Sequence, residues 1–267
     1  MKTKIKLGLC QMSVSDNKND NLEKALSMLE ECCRQGADIA ILPEMFNCPY
    51  DTKLFPLYAE TMKNSQTLSV ISQAAKYNNM YITAGTIPES SNGCIYNTSI
   101  MFDRQGNIIA KHRKVHLFDV KVRDGIEFRE SDVLKAGTKV TVAETEFGRV
   151  GLAICFDMRF TELYSEMTKS GAKIIITPAS FNMTTGPAHW ELIVRSRALD
   201  NQVFHAAVSS ARNTTADYVS YGNSMVCDPW GSVISRADEK EGIMIADIDL
   251  NMINSVRSQI PVNQILD

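Results

Sequence analysis

The sequence predicts an α/β fold in which a mixed β-sheet, or two stacked sheets, carries helices on the outside. Segments with the period of strands alternate with segments with the period of helices along the 267 residues. Several strands are joined by short turns of the hairpin type, such as DRQGN at 103–107 and CDPWGS at 227–232. Such turns favour mixed or stacked sheets over a barrel of eight βα units.

The first half of the chain alternates strands and helices. KIKLGLC at 4–10 has the pattern of a strand, and the following segment predicts a helix that ends at Gly36. One face of this helix carries Leu22, Ala25, Leu26, Leu29 and Cys33. DIAILPE predicts a short buried strand, and a second helix is expected near 65–78. Further strands are expected at MYITAGTI (80–87), NTSIMFD (97–103) and IIAKHRK (108–114).

In the second half, the regular pattern is lost over 115–138, which predicts a long irregular loop of the kind that usually has a function. Strands resume at RVGLAIC (149–155) and KIIITPA (173–179), with a helix between them that ends at Gly171. Pro187 suits the first turn of a helix over 187–202. The remaining strands are expected at VFHAAVSS, on both sides of CDPWGS and at GIMIADIDL, before a short final helix. No segment has the composition of a linker, so we expect one domain over residues 1–267.

Composition narrows the function classes. A net charge of −3 and a pI near 5.9 give no reason to expect nucleic acid or an anionic membrane as a partner. No apolar run approaches the roughly 18–20 residues of a membrane helix. The seven cysteines contain no C-x-x-C pair and the four histidines no helical H-x-x-x-H pair, so a structural metal site is not expected. Without G-x-G-x-x-G or a P-loop, we expect no cofactor, and the scattered cysteines predict a cytoplasmic protein.

Three predicted strands each end in a reactive residue. IAILPE ends in Glu44, IIAKHRK in Lys114 and VGLAIC in Cys155. A carboxylate that accepts the thiol proton, a cation that stabilises an oxyanion and a thiol are the groups that attack on a carbonyl-like carbon requires. Each residue also has a plain structural reading: a surface or capping carboxylate, a solvated lysine and a buried cysteine that only packs.

The blocks ILPEMF, HRKVHLF and GLAICFDMRF, in this order, resemble the three signature blocks of the nitrilase superfamily of carbon–nitrogen hydrolases. The resemblance covers essentially the whole chain. It implies a four-layer αββα sandwich that forms homodimers by stacking sheet against sheet, and a catalytic triad of Glu44, Lys114 and Cys155. The family often adds a second glutamate in the loop after the lysine. Glu130 stands at the matching place in IEFRES, with Glu127 as a second candidate.

Three further segments resemble one branch of that superfamily, the omega-amidases: FNCPYDTKLFP, ASFNMTTGPAHWELIVRSRALDNQ and IDLNMINSVRSQIPV. This resemblance implies hydrolysis of the terminal amide of 2-oxoglutaramate or 2-oxosuccinamate through a cysteine thioester. The alternatives are an amidase for deaminated glutathione, another amidase or nitrilase of the family, and a non-catalytic scaffold. The chain departs from the branch mainly at its C-terminal QILD.

The resemblance also implies substrate-binding residues. Arg159 would bind the carboxylate of the substrate, which needs a planar and permanently charged partner. Phe181 and Thr185 would complete that site, Tyr50 would close the pocket, and the backbone N–H of Phe156 would contribute to the oxyanion site. The alternatives for the first three are an ion pair of Arg159 with Asp157 or Glu162, a core position for Phe181 and a turn position for Thr185.

Overall fold

The structure, a computed structural model, describes residues 2–122 and 127–262. Its helices are α1 (Lys18–Arg34), α2 (Phe55–Tyr58), α3 (Gln66–Tyr77), α4 (Thr161–Lys169), α5 (Gly186–Asn201) and α6 (Asn251–Gln259). Short 3₁₀ turns cover Glu130–Asp132 and Cys155–Arg159. The first eight strands are β1 (Lys4–Gln11), β2 (Ile39–Ile41), β3 (Tyr81–Thr83), β4 (Ile87–Ser91), β5 (Cys94–Phe102), β6 (Ile108–Arg113), β7 (Asp119–Lys121) and β8 (Glu127–Arg129). The other seven are β9 (Thr141–Thr145), β10 (Gly148–Leu152), β11 (Ala172–Ala179), β12 (Phe204–Ser209), β13 (Met225–Cys227), β14 (Val233–Arg236) and β15 (Gly242–Asp249).

Two large mixed sheets organise the described residues. The first has the order β15-β1-β2-β3-β5-β4, with β6 also paired to β5. The second has the order β14-β13-β12-β11-β10-β9. In each sheet, three central strands run parallel and antiparallel strands extend the sheet on both sides. The prediction of mixed sheets joined partly by hairpins is therefore confirmed.

The two sheets pack face to face, and helices cover their outer faces. One apolar cluster joins residues of both sheets, among them Leu7 of β1 and Ile176 of β11. A second cluster packs α1 and α3 on the first sheet, and a third packs α4 and α5 on the second. The order of layers is thus helix, sheet, sheet, helix, and the expected αββα sandwich is confirmed. Because side chains alternate along a strand, each sheet contributes one face to the central core and one to its helices.

Helix α1 illustrates how the sequence fixes these layers. Asn17 caps its first turn, since the side-chain oxygen accepts from the backbone N–H of Asn19 and Asp20. Leu22, Ala25 and Leu29 of the predicted face are buried, together with Met28 and Cys32. Leu26 and Cys33, also predicted for this face, lie at its margin and are only partly buried. The helix lies so close to β1 that a Cβ on Gly8 would stand 2.7 Å from the Cys32 sulfur, so a residue larger than glycine at position 8 would move the helix.

The structure corrects several sequence-based expectations. The segment 115–138 is not wholly irregular, because β7 pairs with β8 and a 3₁₀ turn follows. The segment 80–87 is not one strand: β3 ends at Thr83 and β4 starts at Ile87. Cys155 lies beyond the strand predicted to contain it, since β10 ends at Leu152. The C-terminal QILD falls outside the described residues. Within the described ranges, no helix is both long and apolar enough to cross a membrane.

Candidate active site

Three segments bring the predicted reactive residues together. Glu44 lies three residues after the end of β2, and Lys114 directly follows β6 in the same sheet. Cys155 opens the 3₁₀ turn after β10, in the second sheet. The site therefore combines two strand ends from one sheet with one from the other. Ordered loops at strand ends are where α/β proteins commonly form their sites.

The backbone is tightly constrained beside each of these residues. A Cβ on Gly85, whose φ is +46°, would stand 2.0 Å from the carbonyl oxygen of Pro43, just before Glu44. A Cβ on Gly137 would stand 2.2 Å from the carbonyl oxygen of Arg113, just before Lys114. Cys155 itself has a φ of 44°, a left-handed conformation that is unfavourable for a residue with a side chain. Such strain commonly accompanies a functional residue.

Lys114 lies between two carboxylates in the interior of the protein. Its Nζ donates to Glu44 Oε1 at 3.0 Å and to Glu130 Oε1 at 2.9 Å, and all three side chains are fully buried. Burial alone lowers the pKa of an ammonium, but Glu130 and then Glu44 raise the pKa of Lys114 above its ordinary value. The lysine is therefore a permanent cation at neutral pH, held in place by two anions.

The two oxygens of Glu44 have different surroundings. Oε1 accepts from Lys114 Nζ and from Asn97 Nδ2 at 2.8 Å, and the Tyr50 hydroxyl is 3.4 Å away. Oε2 is buried, and no described residue makes a hydrogen bond of ordinary geometry to it. Burial raises the pKa of Glu44, while Lys114 and the nearby Cys155 thiol act in the opposite direction. Oε2 is thus a proton acceptor with its lone pairs available.

The Cys155 thiol is fully buried in this charged surrounding. Burial is the largest factor that raises the pKa of this thiol, and the charge of Glu44 adds to it. Lys114 and a backbone hydrogen bond from Ser180 lower the pKa. A thiol in such a site stays protonated at rest, so it becomes a nucleophile only when a base removes its proton during attack.

The two candidates for the second glutamate differ clearly. Glu130 is buried, and its Oε2 accepts from the backbone N–H of Phe118 at 2.7 Å while Oε1 contacts Lys114. Glu127 is exposed and pairs with Lys121 at 2.9 Å within the β7–β8 hairpin. The geometry therefore selects Glu130 as the glutamate beside the lysine.

A small cavity of about 10 Å³ adjoins the thiol and is lined by Cys155, Phe156, Arg159, Phe181, Thr185, Phe118, Ser180 and Tyr218. The guanidinium of Arg159 lies 5.6 Å from the ring centre of Phe156 and 5.4 Å from that of Phe181. Its Nη2 donates to His189 Nδ1 at 3.2 Å. No carboxylate among the described residues pairs with it, so an ion pair with Asp157 or Glu162 is not formed.

The other substrate-binding candidates occupy different positions. Phe181 both lines the cavity and packs edge-on against the buried Trp190. Thr185 lines it too, but its hydroxyl and its N–H both point to Asn182 Oδ1, at 3.1 and 2.9 Å. Tyr50 is not among the residues that line this cavity; its hydroxyl donates to Glu130 Oε1 at 2.7 Å. Tyr50 thus contacts the charged cluster directly.

Sequence reasoning missed four residues of the site. Tyr218, Phe118 and Ser180 line the cavity, and Asn97 holds Glu44. Tyr218 donates its hydroxyl to the backbone oxygen of Ser180 at 2.5 Å, so it is fixed beside the thiol. Asn97 is the first residue of the predicted strand at 97–103 and Phe118 the last residue of the HRKVHLF block, so both carry a weak signal. Tyr218 lies in a stretch without periodicity, and nothing in the sequence indicates its place.

A larger cavity, of about 500 Å³, lies on the Glu44 side of the cluster. Its lining includes Glu44 and Tyr50, and it shares Tyr218 with the smaller cavity. Tyr218 and Tyr50 contact each other with ring centres 4.6 Å apart, so this aromatic pair separates the two spaces. Within the described parts of the chain, no group of three or more His, Cys, Asp or Glu residues could hold a metal ion.

The fold and the site define a class of protein: an αββα sandwich with a buried cysteine beside one lysine and two carboxylates, the groups that nucleophilic catalysis by a thiol requires. A family model for carbon-nitrogen hydrolases matches residues 6–258. The chain belongs to the carbon-nitrogen hydrolase family of enzymes, and the resemblance of its three sequence blocks is confirmed.

Individual relatives agree with this assignment. Omega-amidase NIT2-B of Xenopus laevis is 46% identical over 261 residues, which cover 98% of this chain and 94% of the relative. Omega-amidase NIT2 of Homo sapiens is 45% identical over 260 residues, which cover 97% of this chain and 94% of the relative. The crystal structure of Saccharomyces cerevisiae Nit3, a member of branch 10 of the nitrilase superfamily, superposes with a TM-score of 0.91 at 38% identity, covering 98% of this chain and 96% of that one.

Proposed function

We propose that this protein is an omega-amidase, which hydrolyses the terminal amide of 2-oxoglutaramate or 2-oxosuccinamate to the dicarboxylate and ammonia. The observation that carries the proposal is that Cys155 and Arg159 line the same small cavity. A nucleophile and a guanidinium that has no carboxylate partner among the described residues could then contact the two ends of one ligand. The relatives named Omega-amidase, at about 45% identity over nearly the whole chain, support the same activity.

The mechanism follows from the charges of the cluster. Glu44 takes the proton of Cys155 through Oε2, to which no described residue makes a hydrogen bond of ordinary geometry, and the thiolate attacks the amide carbon. Lys114 and the backbone N–H of Phe156 stabilise the tetrahedral oxyanion. Loss of one such donor typically raises the barrier by about 3–4 kcal/mol. Glu44 returns the proton to the leaving nitrogen, and ammonia departs.

The second half of the reaction uses the same residues. Glu44 deprotonates a water molecule, which attacks the thioester and releases the dicarboxylate together with the free thiol. Glu130 Oε1 accepts hydrogen bonds from Lys114 Nζ at 2.9 Å and from the Tyr50 hydroxyl at 2.7 Å, and these bonds hold Lys114 in place. Fixing the reacting groups near attack distance is a large part of what such a site contributes to rate.

The cavity is narrow. Its volume of about 10 Å³ is far below the range of about 300–1,000 Å³ that pockets for drug-sized ligands have, so the walls must move when any of the candidate amides binds. The aromatic rings around Arg159 also shield it from water, which strengthens a hydrogen-bonded contact with a carboxylate.

The organisation of the whole protein remains a set of predictions. We infer one domain over 1–267, a cytoplasmic location and a homodimer. An exposed apolar surface on α5 and the turn beside it supports the dimer: Leu192 is 66% exposed, Leu199 48% and Trp230 47%. Light scattering on the purified protein tests this, with a mass near twice 29.7 kDa expected. The substitution Leu192→Glu should yield monomers, and a monomeric wild-type protein would contradict the prediction.

The experiment that tests the function measures ammonia release from 2-oxoglutaramate beside deaminated glutathione and an aliphatic nitrile. Cys155→Ala is the inactive variant, and Cys33→Ala, at a partly buried thiol on α1, is the matched control. Turnover of 2-oxoglutaramate that is lost only in Cys155→Ala is the expected result. Turnover of deaminated glutathione alone would support the same mechanism but contradict the proposed substrate. A silent protein on every substrate would favour the non-catalytic alternative.

A further inference from the structure

Asp157, two residues after Cys155, is fully buried and accepts five hydrogen bonds. Its Oδ1 accepts from the backbone N–H of Val115 at 3.2 Å and from the N–H and Nδ1 of His116 at 2.9 and 2.8 Å. Its Oδ2 accepts from the backbone N–H of Ile154 at 3.0 Å and contacts His112 Nε2 at 3.1 Å. Burial opposes the charge of Asp157, but these partners lower its pKa to about 2. Asp157 is therefore an anion under all working conditions.

The five donors belong to two segments that matter for the reaction. Val115 and His116 directly follow Lys114 in the chain, and Ile154 directly precedes Cys155. One carboxylate thus ties the peptide after the lysine to the peptide before the cysteine. These segments come from different sheets, because β6 belongs to the first and β10 to the second. No strand pairing between β6 and β10 fixes their relative position, so Asp157 forms a direct bridge.

We propose that Asp157 is a positioning residue that sets Lys114 relative to Cys155, with His116 holding the carboxylate in its orientation. The inference rests on the proposed function only in that Lys114 and Cys155 act on one substrate. Asp157 touches neither the substrate nor the reacting atoms. Asp157 instead determines the position of the Lys114 ammonium when the Cys155 thiolate forms and when the oxyanion develops.

An aspartate is the side chain that this position needs. All five partners point a hydrogen at it, so the group must accept everywhere and donate nowhere. Asp157→Asn has nearly the same shape but places an NH₂ group against N–H donors. The bridge would then open on one side, and a misplacement of about 1 Å at a reacting group can cost roughly a hundredfold in rate.

His116 provides a matched pair of variants, which is useful if Asp157→Asn does not fold. His116 is partly exposed, and its ring stacks on Phe160 with centres 3.5 Å apart. His116→Asn and His116→Leu have similar shapes and both lose this stack. Only Asn keeps an N–H near the position of Nδ1, so the difference between the two variants isolates the hydrogen bond to Asp157.

The test uses the reactivity of Cys155, which requires no substrate. Alkylation by iodoacetamide is followed across pH by mass spectrometry of the peptide that contains Cys155. Glu44, Lys114, Glu130 and Arg159, which act on this thiol by their charges, are unchanged in every variant. Asp157→Asn also removes an anion near the thiol, which by itself would lower the thiol pKa, so a move of the midpoint to higher pH reports the displacement of Lys114. A displaced Lys114 stabilises the thiolate less, so the midpoint of the alkylation profile should move to higher pH in Asp157→Asn and His116→Leu. We expect a shift of about one pH unit, which is a tenfold slower reaction below the midpoint.

Turnover completes the test. In Asp157→Asn and His116→Leu, kcat should fall at least about tenfold with KM nearly unchanged, because ground-state binding at Arg159 is intact. His116→Asn should restore most of both properties. The control is Asp38→Asn, at another buried carboxylate, which pairs with Lys2 and Arg104 away from the site. It should lower the free energy of unfolding without moving the alkylation profile.

Two outcomes decide the matter. If His116→Leu and His116→Asn have the same alkylation midpoint and kcat, or if Asp157→Asn changes only stability as Asp38→Asn does, the positioning role is wrong. If the wild-type protein turns over none of the amides but the alkylation shifts follow the expected order, the proposed function fails and the positioning role stands.

Discussion

The substitution Arg159→Met tests the carboxylate site most directly. Arg159 is the cation of the small cavity, it is partly buried, and burial lowers the pKa of its guanidinium because no described carboxylate offsets that cost. A hydrogen bond to a charged group contributes about 1.5–3 kcal/mol, which corresponds to roughly ten- to hundredfold in kcat/KM. We expect this loss for 2-oxoglutaramate, mostly through KM, because the contact exists before and during the reaction.

The assay measures ammonia release by each variant from two substrates, 2-oxoglutaramate and a second amide. A short aliphatic amide without a carboxylate should react equally with wild type and Arg159→Met, since it makes no contact with the guanidinium. Arg159→Lys should recover only part of the loss, because an ammonium cannot form the two parallel bonds of a guanidinium. Arg149→Met, at an exposed arginine paired with Glu144, is the matched control and should be neutral. An equal loss on both amides would refute the assignment of Arg159 to the substrate carboxylate.

Three further predictions concern the charged cluster, the core and the cavity wall. Glu130→Gln removes one of the two anions that hold Lys114. In steady-state kinetics kcat should therefore fall about a hundredfold with little change in KM, and a change in KM alone would contradict the prediction. Burial lowers the pKa of His205 from its ordinary 6.5 to about 4. Between pH 6.5 and pH 4, His205 is therefore protonated in the unfolded chain and neutral in the folded chain. His205 should therefore reduce the free energy of unfolding by about 3 kcal/mol between pH 7 and pH 4. Urea titrations across this pH range measure the free energy of unfolding, and this part of its pH dependence should be absent in His205→Gln. Tyr218→Ala joins the two cavities, so it should raise the ratio of kcat/KM for deaminated glutathione over 2-oxoglutaramate, and an unchanged ratio would show that Tyr218 does not limit substrate size.

The sequence was sufficient to predict the layers and to select three residues that the fold brings together, for a physical reason. Strand and helix periods are properties of local sequence, so the ends of β2, β6 and β10 could be located to within a few residues. Lys114 directly follows the end of β6, and Glu44 and Cys155 each lie three residues after the ends of β2 and β10. The packing of the sheets then brings the three together. The resemblance to a family supplied Glu130, which periodicity alone could not separate from Glu127.

The remaining parts of the site depend on contacts that local patterns do not encode. The β7–β8 hairpin has short, mostly exposed strands, so its sequence lacks the apolar alternation that indicates a strand. Tyr218 reaches the cavity from an irregular segment, and its position is set by its contacts with Tyr50 and Ser180. The left-handed conformation of Cys155 is likewise a tertiary effect, because the turn after β10 must lift the thiol out of the strand.

The pairing of β1 with β15 has a consequence for biosynthesis. Lys4 lies opposite Asp249 and Gln11 opposite Gly242, so the first strand made is completed by one of the last. While a ribosome is still translating, β1 keeps one edge without a partner, although its residues Ile5, Leu7 and Leu9 belong to the central core. Such long-range pairing slows folding. The nascent chain therefore depends on protection of this edge until residues 242–249 have emerged, and release at an earlier codon should yield aggregates rather than a smaller folded protein.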